Sequence, residues 1–372
     1  MSRSAVVFQI GSLGDSIMSL PALRSLRDLL PDCDNYILVD RFDNALKVVP
    51  AEVFELVMKP KKRLNYRGTT ASRLGRMWSV AFLSAQLRYY RPHYSVYLMP
   101  SDRTEVQVAR DRTFFRSMGV TELLGFRTLN HHDRAEDDCP SKQCSEAYLR
   151  LRRLWNGQTD EQFSRHARTP MFEPSGAATG HVERWMHANR RFPERLLVAV
   201  SPFSNCSSKD LNIANTAELI RKLEDEGGLE AVIVGGAKDT APATSVLERS
   251  GAGLNGCGIF SVGETAALLR KCRVAIAVDS GPMHLAAAVA TPTVAVYSRT
   301  HPHLDRWFPL GKGHTILYRE IACAGCGERV CPLSGHPCID GISVDEIFGA
   351  TLHTLGLAPF PESRTGTRIL TL

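Results

Sequence analysis

No run of consecutive apolar residues approaches the roughly twenty that cross a bilayer, so no membrane-spanning helix is expected. The first apolar run, Ala5–Ile10, is too short for the core of a secretion signal and leads into glycines instead of a small-residue cleavage site, so a cytosolic protein is expected. Acidic residues are missing between Lys59 and Pro100, where nine basic ones stand: Lys59, Lys61, Lys62, Arg63, Arg67, Arg73, Arg76, Arg88 and Arg91. Such a segment reads either as a solvated basic loop or as a docking surface for an anionic partner, a phosphorylated acceptor or a membrane surface. Its aromatics are not interleaved as on an RNA-binding sheet, so no nucleic acid partner is expected. The amino-terminal turn Gly11-Ser12-Leu13-Gly14-Asp15 carries neither the G-x-G-x-x-G fingerprint nor the Gly-Lys-Ser/Thr of a phosphate loop, which disfavours a nicotinamide dehydrogenase.

What is present is a chain of 372 residues, 44% apolar and 23% charged, ordinary for a folded protein and too long for one compact core. Ala5–Ile10 reads as a buried strand, Gly11-Ser12-Leu13-Gly14-Asp15 as a glycine turn, and Ile17, Leu20, Leu23, Leu26, Leu29 and Leu30 recur at helical spacing. With a strand at Tyr36–Val39 this makes the first β-α-β unit of a parallel sheet. Residues 130–195 are polar, with one helical segment at about Cys144–Leu154 and a domain connection near Thr169–Gly180. The same rhythm then restarts. Strands at Leu196–Ser201, Glu230–Val234, Val274–Val278 and Thr293–Tyr297 alternate with helices at Asn215–Glu226, Glu264–Lys271 and Pro282–Val289. That alternation predicts a second doubly wound sheet. The expected domains are 1–175 and 176–342, with a helix in 343–372 that packs back on the first.

The strongest local signal is Val278-Asp279-Ser280-Gly281-Pro282-Met283-His284. A buried strand ends at residues suited to capping a helix, and Pro282 suits its first turn. Free N–H groups and the helix dipole favour an anion, and His284 adds a donor. Plain helix capping, with His284 satisfying a neighbouring carbonyl, is the competing reading. Pro202–Asp210 offers Ser204, Ser208 and Lys209 at the carboxyl end of a strand, where open α/β sheets bind ligands. Gly235-Gly236 ends the next strand, with Asp239 placed to reach a ribose. In the amino-terminal turn Asp15 reads either as a helix cap or as a general base.

Three blocks carry a resemblance: Ser12-Leu13-Gly14-Asp15-Ser16-Ile17 through Leu20-Pro21-Ala22-Leu23, the Pro202–Lys209 loop, and Val278 to Ala287 followed by Thr291-Pro292. In this order they resemble glycosyltransferase family 9, the lipopolysaccharide heptosyltransferases. The resemblance implies a GT-B fold, two Rossmann-like doubly wound parallel-sheet domains facing a cleft. It also implies an inverting transfer from ADP-heptose to a lipopolysaccharide-core-like acceptor at the inner face of the membrane, with no cofactor needed for transfer. Asp15 matches the family's catalytic base. Ser204, Ser208 and Lys209 fall in its phosphate-contact loop, and Asp279, Ser280, Gly281 and His284 match its donor-diphosphate motif. The alternative acceptors are a protein, as in the autotransporter heptosyltransferases, or a natural product; a nucleotide-sugar binder without transfer activity is the rival class. One departure stands out: Ser298-Arg299-Thr300 replaces the family's Gly-Pro-Thr.

Ten cysteines in a cytosolic chain do not point to disulfides. Six (Cys33, Cys139, Cys144, Cys206, Cys257, Cys272) read as scattered thiols. Cys323, Cys326, Cys331 and Cys338 bunch together, and a C-x2-C pair followed by two further thiols suits a structural zinc or iron, or stays as free thiols. The resemblance adds that the autotransporter heptosyltransferases bind iron at a similar cluster. Its role is expected to be structural, outside the donor loops.

Overall fold

The computed structural model describes residues 3–42, 50–58, 60–67, 73–129, 145–155, 159–359 and 366–372. The chain divides into two units, Met1–Met171 and Phe172–Leu372.

The first unit opens with strand β1 (Arg3–Phe8), helices α1 (Leu13–Met18) and α2 (Leu20–Leu29), strand β2 (Cys33–Phe42), α3 (Pro50–Val57) and β3 (Lys62–Arg67). It continues through α4 (Arg73–Tyr90), β4 (Tyr94–Tyr97), α5 (Glu105–Ser117), β5 (Glu122–Leu124), α6 (Glu146–Leu154) and α7 (Thr159–His166). All five strands are parallel, in the order β3-β2-β1-β4-β5. The strand order reverses between β1 and β4, so ligands are expected beyond the carboxyl ends of those two strands. Val6, Phe8, Ile37, Leu64, Leu83, Leu87 and Phe115 form one core from strands and covering helices alike.

The helix expected over Ile17–Leu30 is two helices. Ser19 closes α1, and Pro21, which has no N–H to give, sits in the first turn of α2. The basic segment is not simply a loop either, because residues 62–67 pair with β2 and residues 73–90 are helical. Lys59, Cys139 and Cys144 lie outside the described residues.

The second unit runs α8 (Gly176–Asn189), β6 (Leu197–Ser201), α9 (Ile213–Asp225), β7 (Glu230–Ile233), α10 (Thr240–Ser250), β8 (Leu254–Asn255), α11 (Val262–Lys271) and β9 (Val274–Val278). There follow α12 (Gly281–Ala288), β10 (Thr293–Tyr297), β11 (Thr315–Arg319), α13 (Val344–Thr354) and β12 (Thr367–Thr371). Its sheet has the order β12-β11-β10-β9-β6-β7-β8, parallel except for β12. Here the order reverses between β6 and β9. Strands β6, β7, β9 and β10 are buried at every residue, which is why they read as continuous apolar runs without alternation.

The carboxyl-terminal tail corrects an expectation. Val344, Ile347 and Ala350 of α13 are buried in the core of the second unit, and residues 367–371 extend its sheet against β11. The tail completes the second unit.

Candidate active site

In the first unit the turn after β1 is organised around Asp15. The Ser12 backbone N–H and hydroxyl both donate to Asp15 Oδ2 at 2.8 Å, and the Ser12 hydroxyl accepts from the Asp15 N–H at 3.4 Å. This is a reciprocal capping box, worth about 1 kcal/mol to the helix. Gly11 is required by the same packing, since a Cβ there would fall 2.5 Å from the Asp15 Cβ.

The other carboxylate oxygen is held from α6. Arg150 donates to Asp15 Oδ1 at 3.0 Å, to the Asp15 carbonyl at 2.6 Å and to the Ser19 hydroxyl at 2.6 Å. Its Nε donates to Glu146 Oε1 at 2.7 Å, and Glu146 in turn accepts from the Ser101 N–H at 2.8 Å and the Ser101 hydroxyl at 2.5 Å. Ser101 follows β4, so α6 staples together the two loops at the strand-order reversal. Arg150 is fully buried. Burial by itself pushes a guanidinium down, yet the carboxylates of Glu146 and Asp15 hold it above its usual value. The Asp15 side chain keeps 18% of its surface exposed.

In the second unit the loops after β6 and β9 meet at an ion pair. Lys209 Nζ lies 2.5 Å from Asp279 Oδ2, with Asp279 only 10% exposed. Ser280 is the N-cap residue of α12, in extended backbone, but its side chain makes no capping bond. Its hydroxyl oxygen is buried without a hydrogen-bond partner among the described residues. Gly281 and Pro282 open the helix, and His284 is buried one turn in, its ring 6.3 Å edge-on from Trp307.

Ser204, Ser208 and Lys209 are therefore brought to the same end of the sheet as Asp279, Ser280, Gly281 and His284, but in different roles. The Ser204 hydroxyl donates to the Cys206 carbonyl at 2.7 Å and accepts from the Cys206 N–H at 3.0 Å, shaping its own loop. Ser208 is buried, and its hydroxyl donates to the Glu328 carbonyl at 2.5 Å. Asp239 accepts from the Gly236 N–H at 2.8 Å and is 8% exposed, so it caps its turn much as Asp15 does.

The cysteine segment corrects a second expectation, because it is not separate from the donor loops. The Arg329 carbonyl accepts from the Ser208 N–H at 3.1 Å, Arg329 donates to the Asn205 carbonyl at 3.0 Å, and His336 meets the Ser208 carbonyl at 2.8 Å. Gly325 and Gly327 donate their N–H groups to the carbonyls of Arg299 and Thr300. Segment 325–336 thus clamps the loop that carries Lys209. Cys323 and Cys331 are half-buried, Cys326 is exposed, and Cys338 is buried; all are free thiols. Burial raises Cys338, and the charges of Cys331, Cys323 and Cys326 raise it further. Even so, no group of three or more His, Cys, Asp or Glu side chains among the described residues is set to hold a metal ion, so the four thiols as placed do not form the expected metal centre.

Four residues near the site, His301, Trp307, Arg150 and Glu146, were not anticipated, and Arg299 was noted only as a departure. His301 has its imidazole pushed below the usual value by burial, while the charges of Asp279 and Lys209 both reach it. Trp307 lies 6.3 Å from the rings of both His301 and His284. Arg299, the departure noted above, is 3.3 Å from Glu320 and 5.3 Å over the Tyr318 ring. Arg150 and Glu146 had only an i, i+4 charge pair to mark them, on a helix whose link to Asp15 spans 135 positions.

The family described as glycosyltransferase family 9 (heptosyltransferase) matches residues 156–336. Lipopolysaccharide heptosyltransferase 2 of Escherichia coli K12 is 30% identical over 151 residues, 39% of this chain and 35% of that protein. The chain aligns with only about a quarter to a third of the length of such curated relatives, 24% to 35%. Among solved structures, the family 9 glycosyl transferase of Veillonella parvula superposes with a TM-score of 0.67 at 18% identity, covering 95% of this chain and 97% of that one. Escherichia coli ADP-heptose lps heptosyltransferase II gives 0.65 at 17% identity, covering 95% and 98%. These two likenesses establish the fold, two Rossmann-like parallel-sheet units of the GT-B class. With the curated relatives beside it, the family match places residues 156–336 in glycosyltransferase family 9.

Proposed function

We propose that this protein is an inverting glycosyltransferase that moves a heptose or a related sugar from an ADP-sugar to a hydroxyl of a lipopolysaccharide-core-like acceptor. The observation that carries the donor side is the Lys209–Asp279 pair beside the uncapped start of α12. A helix N-terminus without a capping side chain presents N–H groups to an anion, and Lys209 screens Asp279 so that the carboxylate does not repel it. Asp279, Ser280, Gly281 and His284 form the diphosphate cradle in this reading. Ser204 and Ser208 support it by holding their loop in shape, and Lys209 supplies the charge.

On the acceptor side Asp15 is the general base. The acceptor hydroxyl gives its proton to the Asp15 carboxylate while its oxygen attacks the anomeric carbon. The carbon–oxygen bond to the diphosphate breaks, and its electron pair leaves with the ADP. Positioned base catalysis of this kind supplies about 10²- to 10⁴-fold. The charge that lands on the departing diphosphate meets donors already in place, which need little reorganisation. None of the groups assigned to transfer is a cysteine. A structural zinc or iron at the cysteines would act on the clamp over residues 205–208, after those thiols had moved closer together.

A thermal-shift panel of nucleoside diphosphates tests the donor reading. ADP is expected to stabilise the protein most; stabilisation by UDP or GDP with none by ADP overturns it.

A further inference from the structure

Helix α4 has an apolar face that stays exposed among the described residues. Its inner side is ordinary: Ser79, Leu83 and Leu87 are buried, and both leucines belong to the core of the first unit. On the opposite side, at i, i+3, i+4, i+8 and i+15, stand Leu74, Met77, Trp78, Phe82 and Tyr89, exposed by 68%, 62%, 76%, 60% and 80%. Ala81 and Ala85 fill the same stripe and are exposed too. Of the fifteen large hydrophobic residues exposed among the described ones, six fall on this helix, with Val80 the sixth; the rest are scattered. A surface helix normally turns charge outward, and one that is apolar on both faces is normally buried on both. A contiguous apolar patch of this kind marks an interaction site.

The charge around the stripe selects the occupant. Helix α4 contains no acidic residue, nor does any position from Lys59 to Pro100, while basic residues flank it at both ends. Arg88 and Arg91 are exposed at its carboxyl end, and Lys61 and Lys62 are exposed on the approach to β3. Tryptophan and tyrosine on an amphipathic helix set among arginines suit the boundary between anionic headgroups and acyl chains. A second protein surface would need no such one-signed charge. No described helix is long and apolar enough to cross a bilayer.

We infer that α4 is an interfacial helix that docks the first unit on an anionic lipid surface, with Trp78, Phe82, Met77 and Leu74 entering the acyl boundary and the flanking arginines facing the phosphates. The inference goes beyond the transfer reading and is tested without a transfer assay, so either can fail alone.

The test is co-sedimentation of the full chain with vesicles of phosphatidylcholine mixed with phosphatidylglycerol, against pure phosphatidylcholine, with Trp78 emission read in parallel. Binding to the anionic vesicles is expected, with a blue shift that W78A removes. The double variant W78A/F82A is expected to lose about tenfold or more in partitioning, since each aromatic side chain carries a large apolar area. R88E is expected to lose several-fold on anionic vesicles only. V106A, at an exposed valine on α5, is the matched control and is expected to bind as the parent does. All these positions are exposed, so thermal midpoints should hold, and a variant that has unfolded shows itself there. Equal binding by W78A/F82A and the parent overturns the inference, as does absence of parent binding. It is equally overturned by a parent that self-associates in sedimentation velocity and that W78A/F82A renders monomeric without changing vesicle binding.

Discussion

Two helix starts, one in each unit, use nearly the same local sequence grammar to opposite electrostatic ends. After β1 the chain makes a glycine turn into α1; after β9 it passes through Asp279-Ser280-Gly281 into α12. At α1 the acidic residue lies inside the first turn, where it completes a capping box and is gripped by Arg150. Two N–H groups at that helix start, those of Ser12 and Asp15, are satisfied from within, and the Asp15 carboxylate is held in place. At α12 the acidic residue lies before the helix and is matched by Lys209, while Ser280 leaves the helix start uncapped. That end is prepared to receive negative charge, and the other to present it. In the proposed function, which takes a proton at one place and stabilises a leaving diphosphate at another, the two ends have complementary tasks.

The sharpest way to break this comparison is to remove the fixed carboxylate. Asp15→Ala is expected to lower kcat by about 10²- to 10⁴-fold while leaving ADP affinity in calorimetry unchanged. Asp15→Asn, which keeps an acceptor for Ser12 and spares the cap, is expected to lose activity to the same degree. Near-normal turnover by a folded Asp15→Asn protein would remove Asp15 from the chemistry and leave it a cap.

Arg150 comes next. Arg150→Met leaves Glu146 buried with its principal counter-charge gone, and breaking a buried pair from one side costs about 3–5 kcal/mol. Chemical denaturation should show that loss. The double variant E146M/R150M is expected to recover most of it, because the buried charges are then removed together. Activity separates positioning from packing: in the double variant the fold returns, but kcat stays reduced because Asp15 has lost its second anchor. Full recovery of kcat would confine Arg150 to a structural role.

At the open end, Lys209→Ala is expected to weaken ADP binding by about 2 kcal/mol, roughly thirtyfold, since it removes a charge-assisted contact and leaves Asp279 unscreened beside the phosphates. Asp279→Asn in the same background should restore part of the affinity, and no restoration would argue against the screening account.

How much of this was legible follows from where the information sits along the chain. Strands β6, β9 and β10 and their helices were legible because each announces itself within a dozen residues, through an unbroken apolar run or a helical repeat. The positions of Asp15, Asp279 and Lys209 at the ends of strands were legible for the same reason, each being part of a short block after a strand, while their roles belong to the proposed function. The Asp15 ambiguity between cap and base was real, since the structure uses it as a cap and leaves it partly exposed as well. Arg150 and Glu146 were not legible, because what makes them matter is a contact across more than a hundred residues. The clamp of residues 325–336 on the Lys209 loop is the same kind of contact and was misjudged for that reason. The placement of the tail failed differently: a helix pattern shows which face is apolar, but not which core receives it.

The smallest expected effects test the comparison most directly, because they set one serine against another. Ser12 and Ser280 both stand at the N-cap of a helix that follows a parallel strand, yet only Ser12 caps with its side chain. Ser12→Ala should therefore cost about 1 kcal/mol of stability, the usual price of a lost N-cap, and leave ADP affinity alone. Ser280→Ala removes no capping bond, so its stability should stay within a few tenths of a kcal/mol of the parent. What it should lose is ADP affinity, by severalfold, because the buried Ser280 hydroxyl is without a partner among the described residues and stands ready for a phosphate oxygen. Denaturation midpoints and calorimetry on the same two variants decide it. If both serines cost stability and neither costs affinity, the two helix starts are alike, and the start of α12 is an ordinary cap with no claim on the donor.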